Sequence, residues 1–327
     1  MRAWRVVQLG EPEDALQLID LAVGAPGPAQ VVVEVEAASV NFPDLLLCRG
    51  QYQEKPPLPF TPGLEAAGHV VEAGPDARIA LGTPVIVLPK APNGAYQELI
   101  VCDAADVLPL PPGLSSRDAA ALYITYVTGH LALHRRAGLR AGETLLVHGG
   151  AGGVGTAAIQ LGVAAGARVI ATANGARKAR FCKEFGADVA IDLAEEDFVE
   201  VVNRVTDKRG ADVIFDPVGG EIFDRSRKCI AFEGRLLVIG FAGGVIPSAP
   251  ANHLLVKNYS AVGVHMGLYR RRNPSVLAES LREVMRLYAE GAVKPYVSAV
   301  FAFADVPAAL RLVADRAVLG KVVVDVR

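Results

Sequence analysis

The chain is poor in the residues that build metal clusters and disulfide frameworks. Its 327 residues include four cysteines, Cys48, Cys102, Cys182 and Cys229. No two share C-x-x-C spacing, which argues against a zinc ribbon or a thioredoxin-type redox pair. In a reducing compartment such a scatter reads as free, mostly buried thiols. Long apolar runs are also missing. The most apolar stretch, Ala119 to Leu133, is interrupted by Thr125, Thr128 and His130, whereas a membrane span needs about 18 or more uninterrupted apolar residues. Met1 to Val7 carry neither the apolar core nor the cleavage site of a signal peptide, so a cytoplasmic location is expected. Charge of one sign is absent as well. Lys and Arg number 33 against 35 Asp and Glu, a formal net charge of −2, which argues against nucleic acid and membrane surfaces as partners. The triplet Arg270-Arg271-Arg272 reads as a solvated turn.

What is present points to a loop-rich α/β protein. Hydrophobic residues make up 51% of the chain, with 33 glycines and 21 prolines, enough for two cores at ordinary domain sizes. The first 120 residues read as β-rich, with strands at Val31–Ala37, Gly68–Ala73 and Pro84–Leu88. The texture changes after Pro111-Pro112-Gly113. A helix is predicted from Ser115 or Ser116, and then strands and helices alternate. Strands are expected at Glu143–His148, Arg168–Thr172, Val189–Ile191, Asp212–Asp216 and Arg235–Ile239. Helices are expected at Gly153–Ala165, Arg177–Phe185, Glu196–Val205 and Ile222–Ile230. This rhythm predicts a doubly wound parallel sheet with helices on both faces. A helix at Ser275–Gly291 and a strand at Val322–Val326 follow.

The strand Thr144–His148 runs into Gly149-Gly150-Ala151-Gly152-Gly153-Val154-Gly155. Gly150, Gly152 and Gly155 fit G-x-G-x-x-G, the loop that lets backbone approach a dinucleotide pyrophosphate and lets helix and strand pack closely. The N–H groups of the following helix, from Gly153 and Val154 on, then face the phosphates. About 20 residues past the first glycine, an NAD enzyme places a carboxylate for the ribose 2′-OH. This chain has Thr172-Ala173-Asn174-Gly175-Ala176-Arg177-Lys178 instead. Asn174 can hydrogen-bond a 2′-phosphate, and Arg177 and Lys178 can neutralise it, so NADPH is the expected cofactor. By the rule that ligands sit at carboxyl ends of parallel strands, Asp216, Gly240 and Phe241 are further cofactor candidates.

Three segments carry a family resemblance: Ala38-Ser39-Val40-Asn41-Phe42-Pro43-Asp44, Arg49-Gly50-Gln51-Tyr52, and Pro59-Phe60-Thr61-Pro62-Gly63-Leu64-Glu65-Ala66-Ala67-Gly68. With the glycine loop and the ending Gly320-Lys321-Val322-Val323-Val324, the chain resembles the quinone-oxidoreductase branch of the medium-chain dehydrogenase/reductases, which includes zeta-crystallin. The resemblance implies a GroES-like β-rich domain at 1–122 and a Rossmann NADP(H)-binding domain at 123–262. It also implies a segment, 263–327, that returns to the first domain, with the active site in the cleft between domains.

The resemblance also implies an absence. Positions matching the catalytic zinc ligands of alcohol dehydrogenases hold Asn41, Leu64 and Ile124, two of which cannot ligate and one of which ligates poorly. The four-cysteine lobe of structural zinc is replaced by the short stretch Leu88 to Asn93. No metal is therefore expected, and Glu65 reads as a brace. Without zinc to stabilise an alkoxide, an already electrophilic quinone or enone is the expected substrate. Asn41, Tyr52 and Thr128 are the catalytic candidates, acting by orientation and hydrogen bonding. Val264, His265 and Met266 are expected near the nicotinamide, and Lys321 either at the cofactor phosphates or on the surface. A homodimer through the sheet edge after the fifth strand is expected. The rival readings are an NADPH-dependent enoyl or 2-alkenal double-bond reductase and a non-catalytic NADPH-binding protein of the zeta-crystallin kind.

Overall fold

A computed structural model describes residues 1–111 and 113–327. The chain forms two compact units, Met1–Ile124 with Tyr296–Arg327, and Thr125–Pro295. The return does not begin at 263: residues 263–295 stay with the second unit. The reason is the helix Pro274–Ala289, which buries Leu277, Val284 and Leu287 there. Beyond it, Lys294 N donates to Gln160 Oε1 at 2.7 Å, and its carbonyl accepts from Tyr126 Oη at 2.8 Å.

The first unit contains β1 (Arg2–Val6), β2 (Leu16–Asp20), β3 (Gln30–Val40), β4 (Ala66–Ala73), β5 (Pro84–Val87), β6 (Leu99–Asp103) and β7 (Val107–Pro109). The long strand β3 is its spine and pairs antiparallel with both β4 and β6. Val31, Val33 and Val35 alternate inward along β3 onto a core that includes Phe60, Tyr96 and Ile100. The helix Phe42–Cys48, not anticipated from sequence, follows at once with proline in its first turn.

The second unit contains β8 (Thr144–Val147), β9 (Arg168–Ala173), β10 (Val189–Asp192), β11 (Ala211–Asp216), β12 (Ile230–Val238) and β13 (Ser260–Gly263). They form one parallel sheet in the order β10-β9-β8-β11-β12-β13. This doubly wound order reverses direction between β8 and β11, where such sheets take ligands. Every residue of β8 is buried, as expected of a strand covered on both faces. One predicted helix is corrected. It spans Gly220–Ser226 rather than Ile222–Ile230, because Ala211 N pairs with Cys229 O and Ile230 opens β12 in the core.

The chain then returns to the first unit with β14 (Val297–Ala302) and β15 (Lys321–Asp325). β15 pairs antiparallel with β3, setting Val322 opposite Val40. Among the described residues no helix is long and apolar enough to cross a membrane.

Candidate functional site

In the second unit the glycine loop leaves β8 and enters the helix Gly153–Ala164. Each glycine answers a different demand. Gly149 makes the sharp turn at φ 59°. A side chain on Gly150 would strike Cys182 Sγ at 2.8 Å, and one on Gly155 would strike the Gly149 carbonyl at 2.2 Å. Gly152 is different. A Cβ there would meet nothing nearer than the Gly149 oxygen at 3.5 Å. The protein itself leaves that space open, beside the helix N-terminus whose first N–H groups have no carbonyl within the helix to bond.

At the end of β9, Asn174 and Arg177 are exposed and Lys178 is half-buried at the start of the helix Ala176–Glu184. A carboxylate that the sequence reading did not single out lies close by. Asp192, ending β10, accepts from Gly175 N at 2.7 Å and from Ala194 N at 3.0 Å through Oδ1. It shapes the turn that presents Asn174 and Arg177.

Across the reversal point, a Gly149 side chain would lie 3.6 Å from Pro217. Asp216 is buried and accepts from Val218 N and Gly219 N at 2.8 and 3.0 Å. Burial pushes its carboxyl up despite those bonds, so Asp216 shapes its turn from within. The loop after β12 lies on that turn, with Ala242 N bonded to Pro217 O and Gly243 N to Val218 O. Gly240 and Phe241 are thereby set at the carboxyl ends of the strands. Val264 continues from β13 through a bond to Val238 O. Thr128 Oγ1 donates to Met266 Sδ at 3.4 Å, joining two of the predicted residues. His265 Nε2 is buried with no hydrogen-bond partner among the described residues. An orphaned ring nitrogen and an open glycine loop along one edge of the sheet are what a dinucleotide would fill.

In the first unit Asn41 is buried and caps the helix Phe42–Cys48, its N–H donating to Asp44 Oδ2 at 2.8 Å. Burial above all pushes the Asp44 carboxyl up to about 7. Tyr52 is half-buried and packs on the first core. Lys321 departs from both expected positions. It is neither a surface residue nor free to reach phosphates, because it is buried and salt-bridged to Glu65 at 3.2 Å. Asn41 Oδ1 accepts from Lys321 Nζ at 2.7 Å. The Asn41, Leu64 and Ile124 positions do not fit a zinc ion. Asn41 is committed to an ammonium, and Leu64 and Ile124 are hydrocarbon. Among the described residues no three His, Cys, Asp or Glu side chains cluster as metal ligands.

The alcohol dehydrogenase GroES-like domain model matches residues 27–112, and the zinc-binding dehydrogenase model matches residues 153–290. The quinone oxidoreductase-like protein 2 homolog of Nematostella vectensis is 38% identical over 332 residues, covering 100% of this chain and 89% of the relative. The mouse quinone oxidoreductase-like protein 2 is 36% identical and is covered to 93%. The Escherichia coli quinone oxidoreductase complexed with NADPH superposes with a TM-score of 0.92 at 28% identity, over 99% of this chain and 100% of that one. The CurF ER cyclopropanase of the curacin A biosynthetic pathway superposes with a TM-score of 0.90 at 26% identity, over 99% of this chain and 98% of that one. The chain therefore belongs to the quinone oxidoreductase family of the medium-chain dehydrogenase/reductases, the branch its motifs resemble.

Proposed function

We propose that this chain is a cytoplasmic, zinc-independent NADPH:quinone reductase that works as a homodimer. The observation that carries the cofactor reading is the end of β9. It offers Asn174, Arg177 and Lys178 and no carboxylate of its own, the neighbouring Asp192 of β10 accepting from Gly175 N and Ala194 N, beside a glycine loop with open space at Gly152. The NADPH complex of the Escherichia coli relative supports it. NADPH supplies the hydride when bound. The chain's part is to hold and orient. Gly150 to Gly155 receive the pyrophosphate, and Asn174, Arg177 and Lys178 the 2′-phosphate. Gly240, Phe241, Val264, His265 and Met266 flank the nicotinamide, and Asn41, Tyr52 and Thr128 set the reactants in line. A quinone spreads the charge it accepts over a conjugated ring, and water protonates the resulting oxyanion. Positioning therefore carries most of the rate.

Charge reversal tests the cofactor reading. Each lost charge-assisted bond is worth about 1.5–3 kcal/mol, about ten- to a hundred-fold, so Arg177→Glu with Lys178→Glu together should weaken NADPH at least about a hundred-fold and leave NADH nearly unchanged. Equal wild-type affinity for both cofactors overturns the assignment. Zinc independence is tested by metal analysis and dialysis against a chelator. Turnover should survive, and one tightly held zinc per chain would refute the reading.

The likeness to an ER cyclopropanase, whose name describes chemistry at carbon, favours a second reading as a double-bond reductase. Quinone, 2-alkenal and enoyl thioester assayed side by side under NADPH separate the two. No turnover on any of them, with NADPH still bound, would mark a binding protein.

A further inference from the structure

Two charged residues stand in apolar stretches of the sequence. Glu65 lies between Leu64 and Ala66, and Lys321 opens the run Val322–Val324. Charges buried at such positions need partners, because desolvation otherwise expels them. Both are buried here, with side-chain exposures of 4% for Lys321 and 0% for Glu65. Gly320 makes the approach possible. Its φ is 62°, and a Cβ would lie 2.3 Å from the Tyr296 carbonyl. The turn delivers Lys321 to the end of β3, where Val322 pairs with Val40.

The ammonium has three protons, and three acceptors meet it. They are Asn41 Oδ1 at 2.7 Å, Glu65 Oε1 at 3.2 Å and the Val40 carbonyl at 3.4 Å. The carboxamide of Asn41 is fixed from both ends. Its Nδ2 donates to Glu65 Oε1 at 3.0 Å and to Ser39 Oγ at 3.3 Å. A flipped amide would aim N–H groups at the ammonium, so the network itself dictates which atom is oxygen. Ser39 Oγ also donates to Glu65 Oε1 at 2.7 Å, and Ile124 N to Oε2 at 2.8 Å. Glu65 thus bonds Asn41 and Ile124 and adjoins Leu64, the three positions that do not fit zinc.

We propose that Lys321 is a positioning residue, an internal cation that holds the Asn41 carboxamide so that Asn41 meets a ligand only as an acceptor. Both amide protons are spent inside the protein. Only the remaining lone pair of Oδ1 is left for a ligand. A ribose hydroxyl or an amide N–H suits it, and the carbonyl of a quinone or thioester does not. This rests on the reading that Asn41 helps to set the reactants in line.

The test compares Lys321→Met, Glu65→Gln and the double variant in the full-length protein. Lys321→Met strands a buried carboxylate and should lose both stability and turnover. The double variant is a neutral near-isostere of the pair, a replacement that commonly restores stability. It should melt near the wild-type temperature yet keep kcat at least about ten-fold down, the scale of one misplaced hydrogen bond. A second readout needs no turnover. With 15N-asparagine labelling, the Asn41 side-chain amide, assigned by its loss in Asn41→Asp, should be protected from hydrogen exchange in the wild type and exchange freely in the double variant. Wild-type kcat in the double variant, or unchanged protection of that amide, would reduce the pair to a brace and overturn the proposal. A wild-type protein that turns over no acceptor would defeat the proposed function alone, and the exchange measurement would still decide this inference.

Discussion

His148 follows directly on β8, its two ring nitrogens in opposite roles. Ser226 Oγ spends its only proton on the Ile222 carbonyl at 2.7 Å, so it can only accept from His148 Nε2 at 2.8 Å. Nδ1 must then accept from Thr172 Oγ1 at 2.9 Å. The ring is neutral with its proton on Nε2, and burial pushes its pKa down to about 3. Burial, together with the neighbouring His134, pushes His130 down to about 4. A histidine depressed in the folded state leaves stability intact above the unfolded value near 6.5 and costs stability as pH falls from there toward the folded value. Asp44, raised to about 7, has the opposite sign. Its contribution is lost as pH rises from the ordinary carboxylate range through 7, so raw pH curves mix the two. A difference measurement separates them. Urea unfolding between pH 7.5 and 5, for wild type and His148→Gln, should show the variant losing about 2 kcal/mol less stability over that range, its slope smaller by up to about 1.4 kcal/mol per pH unit only below about pH 6, where the unfolded histidine carries its proton. Identical slopes would mean that His148 is not the neutral bridge.

At the scale of elements, the glycine loop makes a sharper forecast than its motif did. G-x-G-x-x-G treats its glycines as one signature, but only Gly152 is unfilled by the protein. Gly155→Ala places a methyl group 2.2 Å from a backbone oxygen, and such overpacking costs about 1–3 kcal/mol or more, so the melting temperature should drop. Gly152→Ala should melt like the wild type and weaken NADPH at least about ten-fold, because the cost appears only when phosphate approaches. Calorimetric melting and cofactor titration of both variants check this, and a Gly152→Ala protein binding NADPH normally would refute the assigned role. The loop was legible because its cause is local, a strand, a turn and a helix start within a dozen residues. The strands β8 to β11 were legible for the same reason, since they are short, mostly apolar runs between turn signals, whereas only the second half of β12 was, because Glu233-Gly234-Arg235 interrupts it and its first residue reads as the end of a helix. The short helix Phe42–Cys48 was not, because it spans two turns with nearly continuous apolar sequence and no 3.6-residue stripe. The Glu65–Lys321 pair was harder still. Its members stand 256 residues apart, and no window on the sequence spans them. The usable signal was a single charge in each of two apolar stretches.

At the scale of the whole molecule, the second sheet ends in β13, whose outer edge is met among the described residues by Arg136 Nε at the Gly263 carbonyl, 3.1 Å away, and is paired with no further strand. β13 is the outermost strand, and Ser260, Ala261 and Gly263 are exposed. The preceding helix, Ala251–Lys257, buries none of its residues. Leu255 and Val256 on it are 80% and 82% exposed, and Val245 and Ile246 in the loop before it 61% and 74%. A lone exposed leucine means little, but an apolar group beside an open strand edge offers both a surface and a template. Two copies related by a two-fold axis would pair β13 with β13 antiparallel, since that rotation reverses strand direction, and would bury the same side chains against each other. Leu255→Glu with Val256→Glu puts two negative charges per subunit into that contact, four across the axis. Sedimentation or light scattering at micromolar concentration should give twice the chain mass for the wild type and the single-chain mass for the variant. Because these residues contribute nothing to the subunit core, the variant's unfolding extrapolated to infinite dilution should match the wild type's. A variant that remains a dimer would move the interface elsewhere, and a wild type that is monomeric under these conditions would remove it.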